Sequence, residues 1–187
     1  RKVAEKNKIH LKPIVLFKSR TIPKSKQNAE QFHEKINNLT VNDIQKIELQ
    51  AIGTVLEKAF EYFKRGNITF ENLVTELKED FSEEKCMLLD SKNIDEEKQL
   101  KLNSLEDKNN EIRAIFAVNM LNEGWDVLNL FDIVRLYETG DGKWLKDGTY
   151  RPGATTLSEV QLIGRGARYF PFKLNDEQDK FRRKFDQ

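Results

Sequence analysis

One cysteine, two histidines and four prolines in 187 residues leave little room for several kinds of chemistry. Cys86 has no partner in the chain, so no internal disulfide can form. With only His10 and His33 beside that single thiol, the usual nitrogen and sulfur ligand sets for zinc are missing, and no metal site is expected. Proline is too sparse for a proline-rich linker, and there is no repeat or low-complexity tract. No run approaches the ~20 apolar residues of a membrane helix, and Arg1 to Lys8 lacks the apolar stretch of a signal peptide, so a reducing cytoplasmic setting is the expectation. The chain opens in polar sequence without Met and ends at Gln187 after a basic, aromatic stretch, which suggests a domain of a longer polypeptide.

What is present is a soluble composition, 38% hydrophobic and 34% charged, long enough to bury a core without covalent staples. The net charge of +1 hides a strong asymmetry. Residues 1–26 carry nine Lys/Arg against Glu5 alone, whereas residues 71–111 carry thirteen acidic against six basic side chains. The first stretch suits either a polyanion-binding arm or a solvated terminus; the second suits a solvated face that repels DNA.

Hydrophobic patterning predicts alternating strands and helices. Pro13 to Phe17 is a short apolar run, the pattern of a strand buried on both faces of a parallel sheet, and Ile112 to Val118 and Phe131 to Leu136 are the second and third buried-strand candidates. Cys86 to Leu89 is a shorter candidate, with Cys86 as a small core residue. A helix capped by Ser25 should carry Ala29, Phe32, Ile36 and Leu39 on one face. From Asp43 to Lys64 an apolar stripe runs through Ile44, Ile47, Ala51, Ile52, Val55, Leu56, Ala59, Phe60 and Phe63, predicting one long helix that ends at Arg65-Gly66-Asn67. Phe70 to Phe81 gives another, and residues 95–107 a polar one. Thr155-Thr156 with Glu159 signals a helix through Ile163. Gly140 to Gly148 brackets Lys143-Trp144-Leu145-Lys146 as a hairpin excursion at about 139–151. Trp144 between two lysines suits either a base-stacking tip or a cap on the sheet edge. The fold class is α/β with a mainly parallel sheet. Asn-x-Thr sequons at Asn38 and Asn67 carry no weight without a sign of secretion.

In open α/β sheets ligands gather beyond the carboxyl ends of strands, which brings Lys18-Ser19-Arg20, the segment from Asn119 to Asp126 and the loop before Thr155 to one rim. Gln161-Leu162-Ile163-Gly164-Arg165-Gly166-Ala167-Arg168 places two arginines three apart among glycines. Two guanidiniums so placed can grip a phosphoryl group and stabilise its developing charge, or they are a surface pair in a glycine-rich turn.

That stretch resembles motif VI of superfamily 2 helicases. Asn119-Met120-Leu121-Asn122-Glu123-Gly124-Trp125-Asp126-Val127 resembles their motif V, and Pro13 to Arg20 their motif IV, in the order and spacing of the second RecA-like lobe. The wording of residues 116–127 and 155–169 is similar to the restriction (Res) subunit of type III restriction-modification enzymes. The resemblance implies a RecA-like three-layer α/β/α lobe over residues 1–187, with a helical insertion at about 41–82 whose outer face is a reasonable place for subunit contact. It further implies that Arg165 and Arg168 act as arginine fingers on the γ-phosphate of ATP, and that Gly124, Asp126, Gln161 and Gly164 lie around the nucleotide. Asn119, Ser19 and Arg20 would face the nucleic-acid backbone. Val118 stands where DEAD-box RNA helicases carry threonine, a departure toward the DNA translocase and excision-repair type.

No phosphate loop and no magnesium-binding acidic box occur in the sequence. The resemblance places both in a first lobe, which would bind most of ATP and Mg2+; this chain alone should hydrolyse ATP negligibly. The resemblance also implies a metal-dependent nuclease domain downstream in the polypeptide; Glu83-Glu84-Lys85 and Glu96-Glu97-Lys98 have a nuclease-like spacing but lack a paired aspartate on a neighbouring strand, so no nuclease centre is expected within this chain. Implied partners are double-stranded DNA, the first lobe and nuclease domain, and a modification methyltransferase subunit. Rival readings are another superfamily 2 motor, such as a type I restriction motor or repair helicase, and a RecA-like module that binds without ATP turnover.

Overall fold

The computed structural model describes residues 12–89, 94–118, 127, 129–137 and 142–151, with backbone alone at 143, 173–174 and 177–178. Its centre is a four-stranded, wholly parallel sheet of β1 (Ile14–Lys18), β2 (Cys86–Leu88), β3 (Ala114–Ala117) and β4 (Leu130–Arg135), in the order β2-β3-β1-β4. Among the described residues five α-helices accompany it: α1 (Ile22–Asn37), α2 (Val41–Gln50), α3 (Val55–Arg65), α4 (Phe70–Asp80) and α5 (Glu96–Asn103). None of the described helices is long and apolar enough to cross a membrane.

The two inner strands, β1 and β3, are covered on both faces, as parallel strands require, whereas β4, also expected to be buried, lies at the sheet edge and leaves Phe131, Asp132 and Arg135 exposed. Along β3, Ala114 and Phe116 face one layer, while Ile115 and Ala117 face the other. The first layer is aromatic: Phe116 stacks on Phe17 at 4.8 Å between ring centroids and meets Phe32 of α1 edge-on at 5.5 Å. The second layer joins Ile14, Leu16, Met87, Leu89 and Ile115 to Leu102 and Leu105 at the end of α5. Helices therefore cover both faces, giving the three-layer α/β/α arrangement of a RecA-like fold.

The helix after β1 begins earlier than its sequence signal suggests. Thr21 occupies the N-cap, in extended conformation, and Pro23 sits in the first turn, where a missing N–H costs nothing. Ser25, expected as the cap, is instead inside the helix and buried. The predicted helix over Asp43 to Lys64 is two helices, α2 and α3. Gly53 adopts φ +76°, a left-handed conformation closed to a helix interior, and the Thr54 hydroxyl donates to the Ala51 carbonyl at 2.5 Å. The apolar stripe runs across this break without marking it, and part of it faces solvent: Ile52 and Val55 are 75% and 84% exposed.

Helices α2, α3 and α4 enclose a second small core of Ile44, Ala51, Phe60 and Leu73, with Phe63, Phe70 and Leu77 packed around it. A capping box starts α2, where the Asp43 amide donates to the Thr40 hydroxyl and the Asp43 carboxylate accepts from the Thr40 amide at 3.0 Å. Thr69 caps α4 by accepting from the Asn72 amide, so both sequon threonines serve as helix caps. The module is tied to the sheet through the end of α4: Asp80 pairs with Arg113 at 3.4 Å, and Phe81 meets Phe32 at 5.7 Å. Cys86 lies beside this junction, half-buried, not in the core proper.

Past the sheet, β5 (Lys143–Trp144) and β6 (Tyr150–Arg151) form an antiparallel hairpin with register Trp144↔Tyr150. A further antiparallel pair joins β7 (Lys173–Leu174) to β8 (Glu177–Gln178). The expected helix from Thr155 through Ile163 lies outside the described residues.

Candidate functional site

The sheet order determines where a ligand crevice can open. After β1 the chain crosses past β3 to reach β2 at the edge, and after β3 it crosses past β1 to reach β4 on the other side. Adjacent strands whose connections leave in opposite directions define the switch point at which α/β folds bind ligands. Here it falls between the carboxyl ends of β1 and β3, and three strands are locked together at that rim. The Ser19 amide donates to the Ala117 carbonyl at 2.9 Å, and the Leu136 amide donates to the Lys18 carbonyl at 2.9 Å.

Of the residues expected to line this rim, the described ones take different parts. Arg20 is exposed immediately beyond β1 and free to reach a polyanion. Ser19 is 1% exposed, and its hydroxyl accepts a hydrogen bond from the Asn28 side chain at 2.9 Å. In this conformation Ser19 anchors the β1–α1 turn rather than presenting a hydroxyl at the surface. The first turn of α1 opens on the same rim, Thr21 making no side-chain cap bond to it, so the positive end of the helix adds to the charge of Arg20. Asn119, Gly124, Asp126, Gln161, Gly164, Arg165 and Arg168 lie outside the described residues.

On the aromatic side of the sheet, a cleft of about 270 Å3 between α1 and the β2 edge is lined by Lys26, Ala29, His33, Glu83, Cys86 and Phe116. Burial, with a smaller contribution from the nearby Glu83 carboxylate, pushes the Cys86 thiol up to about 12. A thiol so displaced stays protonated near neutrality, so it is neither a ready nucleophile nor a metal ligand. The two nuclease-like triplets fall in helical backbone, Glu83–Lys85 forming a 3-10 turn and Glu96–Lys98 opening α5. Among the described residues no group of three His, Cys, Asp or Glu side chains is placed to hold a metal ion.

The hairpin holds what sequence reading left open. Trp144 is 73% exposed and rests only against its cross-strand neighbour among the described aromatic side chains, with Tyr150 at 5.3 Å between centroids and a tilt of 58°. It does not cap the edge of the central sheet. Tyr150 and Gly142, its companions, were missed in the sequence. The Asp147-Gly148 turn was the signal that could have found Tyr150, because a hairpin closed there sets residue 150 opposite 144.

The four-stranded parallel sheet with helices on both faces defines the class, an α/β fold of RecA-like form, and comparison with known proteins adds a particular relative. The chain is 34% identical over 153 residues to the "Probable type III restriction-modification enzyme HindVIP Res subunit" of Haemophilus influenzae (strain ATCC 51907 / DSM 11121 / KW20 / Rd), covering 71% of this chain and 30% of that protein. The match thus spans less than a third of the relative's length. Residues 155–187, which include Gln161 to Arg168, match the family model HI_1054_N, N-terminal region. A second protein of the same organism, described as uncharacterized, is 64% identical over 33 residues, 18% of this chain and 7% of its own length. No solved structure matches the chain significantly.

Proposed function

We propose that this chain is the second RecA-like lobe of a type III restriction enzyme's Res subunit, an ATP-driven motor on double-stranded DNA. The observation that carries the reading is the 34% identity to a Res subunit over 71% of the chain, joined to a parallel sheet whose switch point lies between the motif IV-like and motif V-like strands. In this reading ATP and Mg2+ are held mainly by a first lobe. Arg165 and Arg168 reach the γ-phosphate when the cleft closes and stabilise charge on the transferring group. Gly124, Asp126, Gln161 and Gly164 surround the nucleotide from this side. Asn119 and Arg20 take the DNA backbone, with Ser19 holding the turn from which Arg20 projects. Closure on ATP and reopening after hydrolysis then move DNA past the rim. Cutting belongs to a nuclease domain elsewhere in the polypeptide, and sequence recognition to a methyltransferase subunit in the cytoplasm.

The test is DNA-dependent ATP hydrolysis by the full-length enzyme, wild type against Arg165→Ala, with the 187-residue chain alongside. The reading expects turnover by the parent, a loss of about 10³-fold or more in the mutant, and silence from the chain alone. Equal turnover in mutant and wild type refutes the arginine assignment, and a parent inactive on DNA refutes the motor.

A further inference from the structure

We propose that the β5–β6 hairpin is a stacking platform for unpaired bases of single-stranded DNA, formed by Trp144 and Tyr150 and flanked by Lys146 and Arg151. The choice of DNA rests on the motor reading above; the platform itself rests on the geometry of the hairpin.

Three features of that geometry point the same way. The tip is rigid. The Leu145 amide donates to the Thr149 carbonyl at 2.8 Å, the Gly148 amide to the Leu145 carbonyl at 3.0 Å, and Gly148 takes φ +81°, the left-handed position of a three-residue hairpin loop. The aromatic pair is held in place. Tyr150 lies against Gly142 so closely that an added Cβ there would overlap the phenol and stand 2.7 Å from the Arg151 carbonyl oxygen, so only glycine lets the ring occupy this position. Directly opposed across the strands, the two rings present neighbouring faces, Trp144 73% and Tyr150 53% exposed.

The charge is complementary to a polyanion. Between 142 and 151 the chain has Lys143, Lys146 and Arg151 against Asp147 alone. The Asp147 carboxylate accepts from the Thr149 hydroxyl at 2.6 Å and from its amide at 3.0 Å, and these bonds hold it below the usual carboxylate range. Asp147 therefore stays ionised and fixed in the turn, and the three cations against this one anion still leave the hairpin with a positive balance, with Lys146 and Arg151 exposed. Aromatic faces between cations are what sequence-tolerant binding of single strands uses, since every base has a π-face and every nucleotide a phosphate. Paired DNA hides its base faces in the helix, so preference for a single strand over a duplex is the signature of this surface. The hairpin lies in the chain between the motif V-like and motif VI-like segments.

The experiment measures binding of the 187-residue chain to a labelled oligothymidylate of about 15 nucleotides, and to a duplex of equal length, by fluorescence anisotropy without ATP. Trp144→Ala should weaken single-strand binding about tenfold and leave duplex binding unchanged, and Trp144→Phe should recover most of the loss. Gly142→Ala, which displaces Tyr150, should weaken the single strand as well. Lys146→Ala and Arg151→Ala should each flatten the salt dependence by about 0.7 of a unit in the log–log slope. Circular dichroism of each variant checks that the fold is intact, as the exposure of Trp144 leads one to expect. If Trp144→Ala binds the oligothymidylate as wild type does, or loses duplex binding equally, the platform is refuted. Since ATP takes no part, a parent that fails to hydrolyse ATP refutes the motor and leaves this result standing, and the reverse holds too.

Discussion

Replacing Phe116 with alanine should remove the largest single contribution to the aromatic layer beneath the rim. The side chain is 1% exposed, in the middle of β3, stacked on Phe17 and edge-on to Phe32. Truncating a fully buried phenylalanine costs about 3–5 kcal/mol through lost transfer energy and the cavity left behind. The two ring contacts add about 0.5–1.5 kcal/mol each, part of which that figure already contains, so about 4 kcal/mol is a fair expectation. Against a total stability of about 5–15 kcal/mol this is a large fraction. Urea denaturation followed by far-UV circular dichroism should show the midpoint falling by about 2 M if the slope is near 2 kcal/mol/M. Phe116→Leu, which keeps most of the volume, should lose less than half as much. Trp144→Ala is the matched control, an aromatic of greater size that is 73% exposed, and should change stability by only about 0.5 kcal/mol. A loss below about 1 kcal/mol for Phe116→Ala would refute the argument, because β3 would then not be the central buried strand that its register with both β1 and β2 requires.

Gly53→Ala should destabilise the chain by about 1–2 kcal/mol, seen as a lower melting temperature, because its φ of +76° is a backbone cost and no atom lies within 4 Å of the added methyl. A neutral or stabilising result would mean that α2 and α3 can join into the single helix that the apolar stripe suggests. Cys86, pushed up to about 12 from an ordinary 9.0, should have about 10³-fold less thiolate near pH 8 than an unperturbed thiol and react correspondingly slowly with a disulfide reagent until urea is added. Native and denatured rates within tenfold of each other would contradict the burial of that thiol.

How much of this was legible in the residues depends on which physical rule governed each segment. Ile14 to Phe17 and Ile115 to Ala117 were readable as strands because a parallel strand covered on both faces must be apolar without interruption; Leu130 to Val134, broken by Asp132, is an edge strand with Phe131 and Asp132 exposed, so that rule does not govern it. The break at Ala51–Thr54 was not readable from periodicity. The apolar spacing continues through it, and only the conformation of Gly53, a three-dimensional property, separates two helices from one. Burial follows the same division. Ile44 and Phe60 go inside because α4 supplies Leu73 to meet them, while Ile52 and Val55 in the same stripe stay in solvent because no described helix faces them. At the rim, residue type named Ser19 and Arg20 together, yet a neighbour nine positions away, Asn28, takes the Ser19 hydroxyl and leaves only Arg20 exposed. The hairpin shows the opposite failure. Trp144 drew attention by itself, but its meaning comes from Tyr150 across the turn and from Gly142 two residues before it, a triad set by the register of the hairpin and not by the apolar pattern of any one segment. Arg165 and Arg168 are different again: their spacing alone leaves a phosphate grip and a surface pair both open, and the arginine-finger expectation comes from the resemblance to motif VI, to be tested in the ATP turnover of the longer enzyme.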